Sequence, residues 1–299
     1  MTVLCFPTDG NGYVVALRAY FDASEQGGVF SVAGFAFGVS NAGKAQSQWK
    51  RLHGDRPLHM TDLHNRKNDF DGWSNGDAGD LLKQSVAIIT KHMKFGVAAS
   101  CHVSDVNAAP QMPTTGDRLT DTLAKGFGSP YAWCCHIAMY TLGSLVRRAG
   151  GGLESVNYVL ETGDAGQGKV KEFVRFVEDY PAPLLRDAYC MNNAVFATKK
   201  GNEVLLQTGD IFSWEWARRT NMKREGLPVR KSLEAIFGGF DEAPQKFGVT
   251  AYSKVEGRAM ASHYEGDSWR DGYRELCENF ADNEVNPLVS HYRRWSEVA

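Results

Sequence analysis

The sequence predicts an α/β protein with one mixed β-sheet flanked by helices, and two observations predict it. An apolar hairpin opens the chain, and after it short apolar runs alternate with segments of helical period. In the hairpin, Val14 to Asp22 reads as a strand ending in a carboxylate, Gly27-Gly28 as a turn, and Val29 to Gly38 as the returning strand. A helix is predicted over Ala42 to Leu52. Gly54 to Gly79, rich in Asp, Asn, Gly and His, reads as a loop anchored by Phe70-Asp71-Gly72-Trp73. Leu81 to Lys94 has the spacing of a helix with one buried face, and Phe95 to Val103 reads as a strand.

Ser129-Pro130 starts the next helix, because Ser caps and Pro is preset for a first turn. That helix reaches about Arg148, and Gly150-Gly151-Gly152 ends it. Val156 to Glu161 is predicted as a short buried strand, Val170 to Tyr180 as a helix, Asn193 to Thr198 as a strand, and Leu205 to Thr220 as a helix. Beyond Asn221 the character changes to Gly- and Pro-containing loops, then helical stretches near Trp269 to Phe280 and Pro287 to Trp295. The expected organisation is a core over 1–220 with a helical insertion at about 40–150. A mostly helical C-terminal extension over 221–299 would pack on that core as a lid, a homodimer arm or a partner-binding segment.

Composition narrows the class. The 299 residues are 43% hydrophobic and 23% charged, which excludes a disordered chain. Lys+Arg 33 against Asp+Glu 35 leaves a net charge of -2, so an anionic partner would have to be held by a local patch. The longest apolar stretches, Gly27 to Gly38 and Trp133 to Val146, are too short to cross a membrane. The N-terminus lacks the charged and apolar regions of a signal peptide. Cysteines at 5, 101, 134, 135, 190 and 277 form no C-x-x-C pair and read as reduced core thiols of a cytoplasmic protein.

Three acids stand where apolar elements stop. Asp22 closes the first strand, Glu161 closes Val156 to Leu160, and Asp210 begins the helix in Leu-Leu-Gln-Thr-Gly-Asp-Ile-Phe-Ser-Trp-Glu-Trp-Ala-Arg-Arg. If the strands are neighbours and the helix packs beside them, the carboxylates converge into a cluster that repels itself. Either its pKa values rise or divalent cations neutralise it. Mg²⁺ or Mn²⁺ held by carboxylates would clamp the oxygens of an in-line phosphodiester displacement.

The segments Tyr-Phe-Asp22-Ala-Ser, Leu58-His59-Met60-Thr61-Asp62-Leu63, Val159-Leu160-Glu161-Thr162-Gly163-Asp164 and Leu206-Gln207-Thr208-Gly209-Asp210 together resemble the DUF3800 family over about residues 14 to 220. The resemblance implies an RNase H-like sheet with an acidic metal centre, in which Asp22, Glu161 and Asp210 are the ligands. Asp164, at the same strand end, is the alternative to Glu161. The family often has Asp-Glu-Ser on its first strand; here Ala23 follows Asp22, and the next acid, Glu25, is an auxiliary candidate. The resemblance also favours His59 as an acid-base group near the metals and Asp62 as an auxiliary residue; His64 reads as structural.

Two phosphate signals compete. Gly163-Asp164-Ala165-Gly166-Gln167-Gly168-Lys169 satisfies G-x-x-x-x-G-K between a strand and a helix, but Val170 stands where a P-loop needs Ser or Thr. Its amides and Lys169 are candidates for phosphate contact. Arg218, Arg219, Lys223, Arg224, Arg230 and Lys231 are opposed only by Glu225 within 218–231, a patch suited to a nucleic-acid backbone, with Arg218 and Arg219 foremost. Lys199 and Lys200 are weaker phosphate candidates. The leading expectation is a divalent-metal-dependent nuclease acting on DNA or RNA through a metal-activated water. The alternatives are a P-loop-like nucleotide-binding or hydrolysing protein and a non-catalytic interaction module of the same fold.

Overall fold

The computed structural model describes residues 7–8, 12–13, 17–107, 129–150, 155–163, 165–179, 184–199, 203–224, 226–245, 248–253 and 259–264. A two-residue ribbon, β1 (Pro7–Thr8) with β2 (Gly12–Tyr13), precedes the main sheet. The opening hairpin is β3 (Leu17–Gln26) and β4 (Val29–Gly38). Gly27 and Gly28 both have positive φ, 57° and 78°, as a two-residue hairpin turn that follows the strand twist demands. The strand therefore does not stop at Asp22. Ala23 to Gln26 continue it because each has a partner on β4.

The remaining strands are β5 (Phe95–His102), β6 (Val156–Glu161), β7 (Met191–Ala197), β8 (Phe240–Gln245), β9 (Gly248–Ser253) and β10 (Ala259–Tyr264). They form one eight-stranded mixed sheet in the order β7-β6-β3-β4-β5-β10-β9-β8. β6 and β7 run parallel to β3, whereas β4 is antiparallel to both β3 and β5. β5 is buried at every position, as a central strand covered on both faces must be.

Period-two alternation sorts the side chains of β3. Leu17, Ala19 and Phe21 join a core with α5 (Pro130–Gly150) and α6 (Gln167–Asp179), built on Trp133, Met139, Leu142, Phe173 and Val177. Tyr20 faces the opposite core, made with α1 (Val39–His53), α3 (Asn75–His92), α8 (Leu206–Arg224) and α9 (Lys231–Phe237). Asp22 shares the Tyr20 side and lies under α8. Three short α-helices, α2 (Met60–Asn65), α4 (Val103–Asn107) and α7 (Leu184–Ala188), and a 3₁₀ turn at Asn68–Phe70 complete the described chain.

Several expectations change. The stretch read as one loop, 54–79, contains α2 and the start of α3, whose N-cap Ser74 forms a capping box with Asp77. The interval expected as a helical insertion, 40–150, contributes β5 to the middle of the sheet. The expectation of a mostly helical 221–299 fails over its described part: after α9 come β8, β9 and β10, and β10 pairs in parallel with β5. β-branched and aromatic residues at 248–264, such as Val249, Thr250 and Tyr252, suit strands. The helices expected near 269–280 and 287–295 lie outside the described residues. Among the described residues no helix is long and apolar enough to cross a membrane.

Candidate active site

Register brings the first two acids together. Phe21 pairs with Leu160 and Glu161 with Ala197, so Asp22, Glu161 and Ala197 fall in one row across three parallel strands. Lys199, two residues past Ala197, points to the same side. The third acid comes from α8, which lies so close to β3 and β4 that a Cβ on Gly209 would meet Asp22 N at 2.9 Å and Ala33 O at 3.0 Å. Asp210 follows that glycine. It sits in the second turn of α8 and does not begin the helix.

The three carboxylates converge, and their common neighbour is an ammonium. Lys199 Nζ lies 2.7 Å from Asp22 Oδ2, 3.1 Å from Glu161 Oε2 and 3.2 Å from Asp210 Oδ2. Asp22, Asp210 and Lys199 are only 2%, 6% and 7% exposed, so these charges interact with little water between them. Asp22 Oδ1 accepts from the Ala23 amide at 2.8 Å, and Asp210 Oδ2 accepts from the Met60 amide at 3.2 Å. His59, at the N-cap of α2, reaches Asp210 Oδ2 at 3.6 Å and Lys199 Nζ at 3.5 Å; its half-exposed ring forms the rim.

Burial, the Asp210 charge and the hydrogen bond to Glu161 push the Asp22 carboxyl well above the usual carboxylate range, although Lys199 pulls the other way. Asp210 goes down. Burial raises it, but the nearby His59 ring, the Lys199 charge and the Met60 amide outweigh that. Lys199 is held firmly protonated, because the three acid charges overcome its own burial. The site thus separates an acid that takes a proton from one that keeps its charge.

The implied metal can be tested against these donors. Three carboxylates are the hard oxygen set that Mg²⁺ or Mn²⁺ takes. With all three carboxylates ionised, one ammonium would leave two negative charges, the charge of one divalent ion. The donor chemistry fits such an ion. The present spacing is that of an ammonium cage, and among the described residues no group of three His, Cys, Asp or Glu stands at metal-holding distances.

Other expected residues lie apart. Glu25, three residues from Asp22, is on the opposite face of β3 and exposed. Asp62 is on α2, where its carbonyl accepts from the Lys67 amide, and its carboxylate joins no acid of the cluster. Asp164 falls outside the described residues. In the Gly-rich loop Gly163 and Gly166 have positive φ, and the Gly163 amide donates to Gln167 Oε1 at 3.3 Å, so it serves its own loop. Lys169 lies in the first turn of α6 and takes no part in the cluster. Arg219 donates to the Leu227 carbonyl at 3.5 Å. Arg218 lies on α8 two turns beyond Asp210.

Sequence reasoning missed two residues. Lys199, read as a phosphate candidate, is the centre of the cluster. Gln207 ties three segments together: its Oε1 accepts from Trp49 Nε1 and the Leu58 amide, both at 2.9 Å, and its Nε2 donates to the Lys199 carbonyl at 3.0 Å. A charge count over the expected acids would have asked for one internal cation and singled out the lysine just past the neighbouring strand. An open cleft of 470 Å³ lined by Leu52, Arg56, Trp73 and Asp77 lies elsewhere and touches none of these residues. No family model matches the chain, and no curated protein matches it.

Proposed function

We propose that this chain is a divalent-metal-dependent nuclease with an RNase H-like core, hydrolysing phosphodiester bonds of nucleic acid. The observation that carries the reading is the convergence of Asp22, Glu161 and Asp210 on one buried point, Lys199 Nζ, from positions far apart in sequence. The sheet supports it as well. Three consecutive antiparallel strands are continued, on the side of the first, by two parallel crossover strands, in keeping with an RNase H-type sheet.

On this reading Asp22, Glu161 and Asp210 hold Mg²⁺ or Mn²⁺. When bound, the ion polarises the phosphoryl oxygens and makes water a better nucleophile at neutral pH. The chain's own groups do the rest. Asp210, kept ionised, orients the His59 imidazole at the solvent rim, where His59 can pass a proton to a leaving oxygen. Lys199 balances charge in the cluster, and Gln207 holds the Lys199 backbone. The buried Cys101 and Cys134 thiols, 3.7 Å apart and not joined in a disulfide, suit a reducing, cytoplasmic compartment.

One observation favours a second reading. Lys199 already fills the centre, so the cluster could be a salt-bridge node of a non-catalytic interaction module. Calorimetric titration with Mn²⁺ separates the two. The nuclease reading requires a site that Asp210→Asn abolishes, together with cleavage of labelled DNA or RNA by the wild type and none by that variant. No carboxylate-dependent Mn²⁺ binding by the wild type would leave the module reading in its place. For the P-loop alternative, Lys169→Ala would have to abolish nucleotide binding that Asp22→Asn leaves intact.

A further inference from the structure

From the acidic cluster a stripe of α8 leads to a second charged site. Asp210, Trp214 and Arg218 follow one another at intervals of four, so they share one side of the helix and span about 12 Å along its axis. At the far end Arg218 and Arg230 both lie over the Trp214 ring, with guanidinium carbons 5.1 and 5.0 Å from its centroid. The exposed His64 ring sits 5.0 Å from the same centroid, and its Nε2 accepts from Arg218 Nη1 at 3.3 Å. Arg66 ends α2 beside it, bonded to the Asn75 side chain. Burial, then the charges of Arg218, Arg230 and Arg66, hold the His64 imidazole below its usual range.

Arg218 thus bonds this imidazole directly, Arg230 shares the Trp214 ring with it, and the Arg66 charge also reaches it. Arg230 has a carboxylate partner, the buried Glu215 at 3.3 Å. Arg218 and Arg66 make no salt bridge with a carboxylate among the described residues, although the Arg218 charge also acts on Glu215. Trp214 is fully buried and holds the cation side chains in place, so little rotamer freedom is left to lose on binding an anion. Arginine at such a spot suits bidentate capture of phosphate oxygens.

We propose that Arg66, Arg218, Arg230 and His64 form a phosphate-binding subsite that grips the backbone of a single nucleic-acid strand outside the cleavage centre. The inference rests on the nuclease reading for the identity of the strand. Even at the compact rise of a stacked strand, about 3.4 Å per nucleotide, about 12 Å sets the gripped phosphate at most three to four nucleotides from the bond at the acids. A dinucleotide cannot reach both sites, whereas an oligonucleotide of about eight can.

The test is fluorescence-anisotropy binding of a labelled eight-residue oligonucleotide and a dinucleotide to the full chain in EDTA, over a salt series. The expected result is tight binding of the longer strand only. Arg218→Ala and Arg66→Glu should each weaken it about tenfold and make the log–log salt slope shallower by roughly one. Arg66 is at the end of a short surface helix, so Arg66→Glu keeps the test valid should Arg218→Ala unfold. Unchanged affinity and salt slope in Arg66→Glu would overturn the subsite. So would equal binding of a poly-glutamate peptide, which would make the site a general acidic-peptide surface. Asp210→Asn should still bind. Arginine-dependent binding without any cleavage by the wild type would retain the subsite and remove the nuclease.

Discussion

Lys199 decides how the candidate centre survives as a cluster of buried acids. Removing one partner of a buried charge network strands the others, typically at a cost of about 3–5 kcal/mol. Lys199→Met should therefore lose stability of that order at pH 7 in EDTA, read as a fall in urea midpoint, and Mn²⁺ should restore much of it. The companion change, Asp22→Asn, should do the reverse. Its carboxyl is disfavoured by burial and by Asp210, and Lys199 keeps two acids without it. We expect a gain on the order of 1 kcal/mol, with Mn²⁺ affinity lost. A fall in stability in Asp22→Asn would mean that its pairing with Lys199 outweighs its desolvation. At this scale the three acids were legible, because each ends or follows an apolar run in a short motif. Lys199 was not, because its role depends on strand register, which sequence spacing does not give.

Helix α8 positions Asp210, and Gly209 is where it touches the sheet. A Cβ there would press on the backbone of Asp22 and Ala33, two groups that cannot yield cheaply. Gly209→Ala should push α8 and Asp210 outward by a few tenths of an ångström, cost about 1–3 kcal/mol, and on the nuclease reading reduce cleavage by about 10- to 100-fold although all three acids are retained. Kinetics and a thermal melt on one preparation would check both. On the same side of the sheet, α1 and α3 meet at His53, which bonds Ser85 Oγ at 3.0 Å. Burial and the nearby Arg56 push its pKa down to about 4. The folded protein thus holds His53 neutral while the unfolded chain takes up a proton below about pH 6.5. Its contribution is full above pH 6.5 and is lost as pH falls toward 4, on the order of 3 kcal/mol. In His53→Gln the acid-dependent loss over that window should shrink by a comparable amount, measured by urea denaturation at pH 7 and pH 4.5. The start of α3 was legible in principle from Ser74 and Asp77, yet the Gly- and Asp-rich run around it hid the capping box. Composition outweighed a two-residue signal.

Across the whole molecule the sheet runs beyond the region whose motifs were recognised. Strands β3 to β7 were foreseen, because each carries a compact apolar run. Strands β8 to β10 were not, because Asp241, Glu242 and Gln245 interrupt their pattern and the chain after Asn221 looked like loop and helix. Their placement has a cost if they are removed. β5 is buried throughout and pairs on one side with β10, so ending the chain at residue 239 would bare its hydrogen-bonding edge. Such a truncation should be recovered mostly as aggregate, seen by light scattering, and a soluble monomer of native stability would show that the three strands are dispensable.

A pocket furnished with its own positive side chain need not wait for an ion before the protein can mature. Many metal-dependent domains stay unfolded until loaded; if the proposed metal site is real, Lys199 lets the newly made chain complete its fold under metal starvation and wait, idle yet intact, until supply returns.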